Sequence, residues 1–261
     1  RDAQESRGLG DVYKRQYKAT GWGDAYPRYD AQNNKSTKTA AGWSQAKPVY
    51  LLSDKATIWA YYPYNQAVAD GTKVPVPINA GTSVDYMWGK STNQVSVIET
   101  DAVIPMKHAL SQLVIRLKVS PEYHNDGNLT SAKLKSKAAK FGTSGTMNLN
   151  DNGRIIFSPT STELSWTPNT TIPAQGNPSV DFAAAIYPMS LASGEVSMEV
   201  VIDGATYTYS IPQISWEAGK RYIYSITMRS NDAEIGGENG QSVTIEPWGS
   251  SESDVTLVPV K

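Results

Sequence analysis

Apolar and polar residues alternate with a period of two along much of this chain, and the clearest case lies near its middle. Within residues 103–119, VIPMKHALSQLVIRLKV, the second half puts Leu113, Ile115, Leu117 and Val119 on one side. Arg116 and Lys118 fall on the other, which is the pattern of a strand with one buried face. Residues 106–112 are long enough for one helical turn. They are short and follow Pro105, so the chain is read as passing directly from one strand into the next, at the join between two β-domains.

The same reading places strands on both sides of the join. Residues 49–52 form a short strand, and 56–62 (ATIWAYY) a longer one that Pro63 ends. Residues 74–78 (VPVPI) can only be an edge strand or connector, because each proline removes a ladder donor. Residues 84–88 and 94–98 are further short strands. Past the join, 121–128 is a loop, and 129–140 puts Lys133, Lys135 and Lys137 on one solvated strand face. Asn152-Gly153 between two apolar runs marks a hairpin, and Asp203-Gly204 between 196–202 and 205–211 marks a second. Residues 182–187 form a buried strand closed by Pro188, and 222–228 alternates cleanly. Residues 231–240 are a Gly- and acid-rich loop, and 243–245 and 255–260 are the last strands.

Composition agrees with an all-β reading. The 261 residues are 39% hydrophobic and 19% charged, with 20 Gly, 15 Pro and 15 Tyr against 3 Phe. Such a chain can bury one large or two ordinary cores, and Tyr suits strands and half-wet surfaces. A formal net charge of −1 gives no electrostatic case for nucleic acid. No apolar run is long enough to be a spanning helix. With no cysteine, thiol chemistry, thiolate metal sites and disulfides are excluded.

Residues 1–16, RDAQESRGLGDVYKRQ, show neither period. Asp11-Val-Tyr-Lys-Arg-Gln16 is the in-frame translation of a transposon end used in preparing sequencing libraries, so 1–16 is read as a non-native leader. A signal peptide or lipidated cysteine upstream would be lost with the native start. Residues 17–106 then form an N-terminal β-sandwich and 107–261 a C-terminal one that includes the tail strand. Ala60-Tyr-Tyr-Pro63 and Ala185-Ile-Tyr-Pro188 echo one another, each preceded by a tryptophan, Trp43 or Trp166. Two domains of one plan would explain this. About 26 residues separate Tyr17 from Trp43, whereas about 59 separate Lys107 from Trp166. The first domain is therefore expected to lack roughly two or three strands.

No residue pattern points to catalysis. There is no G-x-S-x-G and only two histidines, His108 and His124, at the join and in a polar loop. Both read as structural, and neither has zinc-ligand spacing. The clusters Asn125-Asp126 and Asn150-Asp-Asn152 lack the calcium-loop pattern and read as turns. Gly236, Gly237 and Gly240 follow no phosphate-loop rule. Paired carboxylates for glycoside hydrolysis find no support in any sequence feature. The seven tryptophans (22, 43, 59, 88, 166, 216 and 248) are spread evenly. Most read as core, with an exposed row for sugar stacking as the alternative. No cofactor and no metal is expected.

Five stretches in order carry a family resemblance: Ala60-Tyr-Tyr-Pro-Tyr-Asn65, Asp85-Tyr-Met87, Met106-Lys-His-Ala-Leu110, Gly219-Lys-Arg-Tyr-Ile-Tyr224 and Ile245-Glu-Pro-Trp248. The chain resembles the fimbrillin family, the type V pilins and fimbrillin-like surface proteins of Bacteroidales. The resemblance implies two tandem transthyretin-like β-sandwiches, the first incomplete here. It implies a non-enzymatic, structural or adhesive fimbrial subunit, exported as a lipoprotein to the outer membrane, with other pilin subunits and possible surface glycans or proteins as partners. It also implies assembly in which a first strand is removed by proteolysis and a strand from another subunit fills the groove. The departure at the start means that lipidation and processing map onto no residue here. The candidate donor is the C-terminal segment, with Val255 and Leu257 on one face and Val258 and Val260 on the other; pairing within its own domain is the alternative. A carbohydrate-binding surface module on the same scaffold is the competing function.

Overall fold

The computed structural model describes residues 11–18, 33–40, 42–49, 51, 53–78, 84–119, 126–173, 179–228, 233–236, 243–248 and 254–257. Among them the protein is all-β. In chain order the strands are β1 (Asp11–Lys18), β2 (Asn34–Thr39), β3 (Gly42–Gln45), β4 (Ala56–Tyr62), β5 (Val74–Pro77), β6 (Met87–Lys90), β7 (Ala102–His108) and β8 (Ser111–Val119). There follow β9 (Gly127–Ser136), β10 (Ser144–Asn148), β11 (Arg154–Phe157), β12 (Glu163–Trp166), β13 (Thr170–Ile172), β14 (Val180–Ile186) and β15 (Met189–Leu191). The last are β16 (Val196–Ile202), β17 (Ala205–Ser210), β18 (Ile214–Trp216), β19 (Lys220–Met228), β20 (Ala233–Gly236), β21 (Thr244–Pro247) and β22 (Asp254–Leu257).

The C-terminal half stacks two sheets, β12-β9-β16-β17 over β14-β8-β19-β20, with β13 also on β9 and β21 also on β19. Leu113, Ile115 and Leu117 of β8 point into the core between them and are at most 1% exposed, as the alternation requires. They meet Leu129 and Leu134 of β9, Met198 and Val200 of β16, and Tyr222, Tyr224 and Ile226 of β19. The sequence reading differs from the structure in three respects here. β8 runs parallel to β19, a pairing that antiparallel stacking did not anticipate. Val114 and Ile223, on the opposite face, are also fully buried, so these central strands are buried on both sides. The acid-rich loop at 231–240 contains β20.

Both hairpins form where turn chemistry places them. Asp203 and Gly204 have φ of 50° and 80°, the left-handed pair that a tight two-residue connection needs. Asn152 and Gly153 have φ of 50° and 68° and follow a 3-10 turn, Leu149–Asp151, capped by the Asn148 side chain. Gly153 is fixed twice over, because a Cβ there would lie 2.1 Å from the Trp88 ring.

The N-terminal half is a sheet ordered β22-β7-β6-β4-β1-β2-β3. Where an edge missing two or three strands was expected, this sheet has seven strands. Residues 11–16, read as a leader without strand period, supply most of β1, so the boundary at 16/17 falls inside a strand. β22, grouped in sequence with the C-terminal sandwich, pairs instead with β7. Of residues 49–52, Val49 and Leu51 are described and lie outside any strand.

β4 explains how this half is built. It is buried on both faces: Ile58 and Ala60 join Met87, Ala102, Ile104 and Met106 on one side, while Trp59 and Tyr61 face the other. That other side is a core shared by the two halves. β5 belongs to the N-terminal half yet pairs with β10, giving the sheet β11-β10-β5. Val74 and Val76 of β5, Met147 and Leu149 from the β10 hairpin, and Tyr61, Leu110, Ala185 and Tyr187 pack together. β5 is an edge strand, as its prolines demand: Ile78 N–H donates to Thr143 O at 2.9 Å, so positions 75 and 77, one residue out of phase, turn away from β10. The buried Tyr187 hydroxyl donates to Val76 O at 2.5 Å, a bond between the halves.

Burial raises the Tyr187 and Tyr224 hydroxyls above their ordinary pKa of about 10. The folded state thus holds these protons more tightly than the unfolded chain does. Stability is fully present below pH about 10 and falls as pH rises above it. Urea unfolding between pH 8 and about 11 is expected to show this decline, and Tyr187→Phe should flatten it. At neutral pH, Tyr187→Phe removes the bond between the halves while Val76 O keeps its ladder partner on β10, and should cost about 0.5–1.5 kcal/mol.

Candidate strand-docking site

Three features meet along β7. On its inner margin β6 pairs through Met87↔His108, Trp88↔Lys107 and Gly89↔Met106. The approach is close: a Cβ on Gly89 would lie 2.6 Å from Pro105 O, so the small residue lets the strands pack. On its outer margin β22 pairs antiparallel, with Val255 opposite Ile104 and Leu257 opposite Ala102. Ala102 and Ile104 are each 1% exposed. Of the four candidate donor residues, Val255 and Leu257 are thus on the N-terminal sheet of the same chain, and Val258 and Val260 lie outside the described residues. β22 thus pairs with the N-terminal sheet and not within the C-terminal sandwich.

At the end of β7 the chain is pinned by His108. Its Nδ1 lies 2.9 Å from Asp85 Oδ1, and its ring stacks on Trp248 with centroids 4.6 Å apart and planes 8° from parallel. Trp248 N–H donates to Gly219 O at 2.7 Å, and Gly219 N–H donates to Leu110 O at 2.9 Å. Four stretches that stand far apart in sequence therefore meet at one point: 85–87, 106–110, 219–224 and 245–248. The fifth sends Tyr61 into the shared core beside them. Sequence reasoning found each stretch but not their convergence; nothing in local pattern says that Trp248 covers His108. The clamp sits where the chain leaves β21 for β22.

A second element of the site is the slot held by β1. It pairs with β4 from Tyr13↔Tyr61 to Lys18↔Ala56, and with β2 from Asp11↔Thr37 to Lys14↔Asn34. Both pairings are antiparallel, so β1 is an interior strand. A segment without apolar alternation fills it, which main-chain hydrogen bonding permits.

The remaining sequence candidates contribute no reactive centre. His108 is hydrogen bonded and stacked, as a structural histidine, and His124 lies outside the described residues. Asn150 and Asp151 N–H groups donate to Asn148 Oδ1, which makes that cluster a turn. Lys133 and Lys135 pair with Glu163 at 3.3 Å and Glu199 at 2.7 Å, so the lysine face is a ladder of opposite charges. Among the described residues no group of three or more His, Cys, Asp or Glu side chains could hold a metal. Among the residues whose side-chain exposure is described, Trp, Tyr and Phe are buried or half-buried.

A family model described as fimbrillin-like matches residues 12–248. The chain belongs to the fimbrillin-like family. It is a structural, non-enzymatic protein. Solved structures share its fold at low identity. A candidate cell-adhesion protein of Bacteroides uniformis superposes with a TM-score of 0.69 at 17% identity, covering 92% of this chain and 91% of that one. A fimbrial protein of Bacteroides vulgatus gives 0.54 at 15%, covering 92% of each. The tip fimbrial protein Mfa3 of Porphyromonas gingivalis, with a C-terminal truncation, gives 0.52 at 9%, covering 92% and 94%. No curated protein sequence matches this chain.

Trp248→Ala removes the stack on His108 that fixes the end of β21, just ahead of the tail. Limited proteolysis of this variant is expected to release the segment after β21 several-fold faster than wild type. The thermal transition of the C-terminal sandwich should be little changed. Equal release rates would show that the clamp does not hold the tail.

Proposed function

We propose that this fimbrillin-like protein is a subunit of a fimbria on the bacterial surface and that subunits join by strand addition. The observation that supports this reading is the β1 slot. A polar segment with no strand period occupies an interior position, bonded on both sides through its backbone. A slot of that kind accepts a strand on main-chain hydrogen bonds, with side chains setting only the register. Both walls, β2 and β4, pair antiparallel with their occupant, and the β4 wall is buried on both faces.

The donor is the C-terminal segment around Val255 and Leu257. It already pairs as a strand, against β7 of its own chain. Transfer of β22 from its own β7 to the β1 slot of a neighbour exchanges one antiparallel pairing for two. The partners are then other pilin subunits, joined head to tail. Display at the outer membrane and lipidation belong to the same proposal and rest on the family alone.

The test uses two chains, the full sequence and one starting at residue 33, each mixed with a synthetic peptide of residues 249–261. The shortened chain is expected to bind the peptide one to one in native mass spectrometry and to regain slow amide exchange in β4. The full chain should not gain that protection. If the shortened chain is folded, with slow exchange in β8 and β19, and still ignores the peptide, strand addition at this slot is wrong.

A further inference from the structure

A separate interface is written into β17, at the margin of the C-terminal sandwich farthest from β12. The Asp203-Gly204 turn sets its phase. Ile202↔Ala205 closes the hairpin as a hydrogen-bonded pair, and every second pair repeats it, down to Ile211 N–H donating to Val196 O at 3.0 Å. Ala205, Tyr207 and Tyr209 therefore direct their main-chain groups at β16. Thr206, Thr208 and Ser210 direct theirs outward, where no strand lies among the described residues. Their side chains are exposed on the sheet's outer face.

This margin has none of the usual protection. Ala205–Ser210, ATYTYS, contains no charge and no proline. Elsewhere, margins carry Pro75 and Pro77 in β5, Arg154 in β11, Glu163 in β12, Asp181 in β14, Glu234 in β20 and Asp254 in β22. β3, β13, β15 and β18 are also neutral, and each is only three or four residues long.

We infer that β17 pairs edge to edge with β17 of a second copy of this chain, about a two-fold axis through Thr208. The register is self-complementary. Antiparallel strands place like faces together only when the paired residue numbers differ by an even count. Centring on Thr208 sets Thr208 opposite Thr208 of the second copy and Thr206 opposite its Ser210. These are the residues whose amides and carbonyls face outward, so all form hydrogen-bonded pairs. Tyr207 falls opposite Tyr209 of the second copy in the closer, non-bonded positions, where aromatic pairs are favourable. No charge of β17 opposes another, and the neighbouring Glu199 is occupied by Lys135 at 2.7 Å. The result is one continuous sheet across two molecules, joined at their flanks and independent of the tail.

The chain has no cysteine, so single cysteines report the register directly. Thr208→Cys is expected to give a disulfide-linked dimer under mild oxidation, since hydrogen-bonded positions lie about 5.5 Å apart between Cα atoms. Thr206→Cys alone should not cross-link, and Thr206→Cys with Ser210→Cys should. Wild type should sediment with a dimer fraction that rises with concentration, and deletion of 249–261 should leave that fraction unchanged. Thr208→Lys, which sets two ammonium groups across the axis, should abolish the dimer without lowering the melting temperature. Cross-linking of Thr206→Cys as fast as Thr208→Cys overturns the register. Wild type sedimenting as a monomer at every concentration overturns the interface.

Discussion

The core shared by the two halves is the packing on which the rest depends. β5 carries the sequence of the N-terminal half but the hydrogen bonds of the C-terminal one, since it pairs with β10. Val74 and Val76 are fully buried by that pairing, and the Tyr187 hydroxyl closes on Val76 O between them. Trp88 of β6 rests on Gly153 in the turn after β10, where no side chain would fit. Rotating one half against the other would expose these apolar surfaces and strand a buried hydroxyl and carbonyl. The two halves therefore form a rigid unit, and the ends of β7 and β21 are brought within stacking distance because of it.

Main-chain hydrogen bonding at strand margins is the next constraint, and it links fold to function. Each sheet of the protein has two margins, and each must be covered, blunted or used. β22 covers β7, charged residues or prolines mark most others, and β17 has neither. A protein built to join others through strands has to keep some margins receptive while blocking the rest. The distribution of Pro and charge along these margins is how this sequence separates the two.

Local chemistry was legible in the sequence, and long-range pairing was not. β4, the β16–β17 hairpin and the inward face of β8 follow from period and turn residues, because those signals lie within ten or so positions. The two prolines of β5 fixed it as an edge, but nothing in VPVP names β10 as its partner. β22 is legible as a strand, yet its partner β7 lies about 150 residues earlier, beyond any local pattern. β1 carries no period-two signal, because a strand held on both sides by its backbone needs no apolar alternation. The His108 clamp has no local signature, because its members come from four separate stretches. Val114 and Ile223 were invisible as core residues, since period-two reasoning assigns each strand only one buried face.

The prolines of β5 have an effect beyond this fold. A foreign strand laid along that rim would meet two successive outward positions with no proton to donate. Its own carbonyls there would lose water and gain nothing. Templated, fibril-like growth is thereby closed at the seam between the halves. Molecules crowded together can press on that rim without nucleating aggregates.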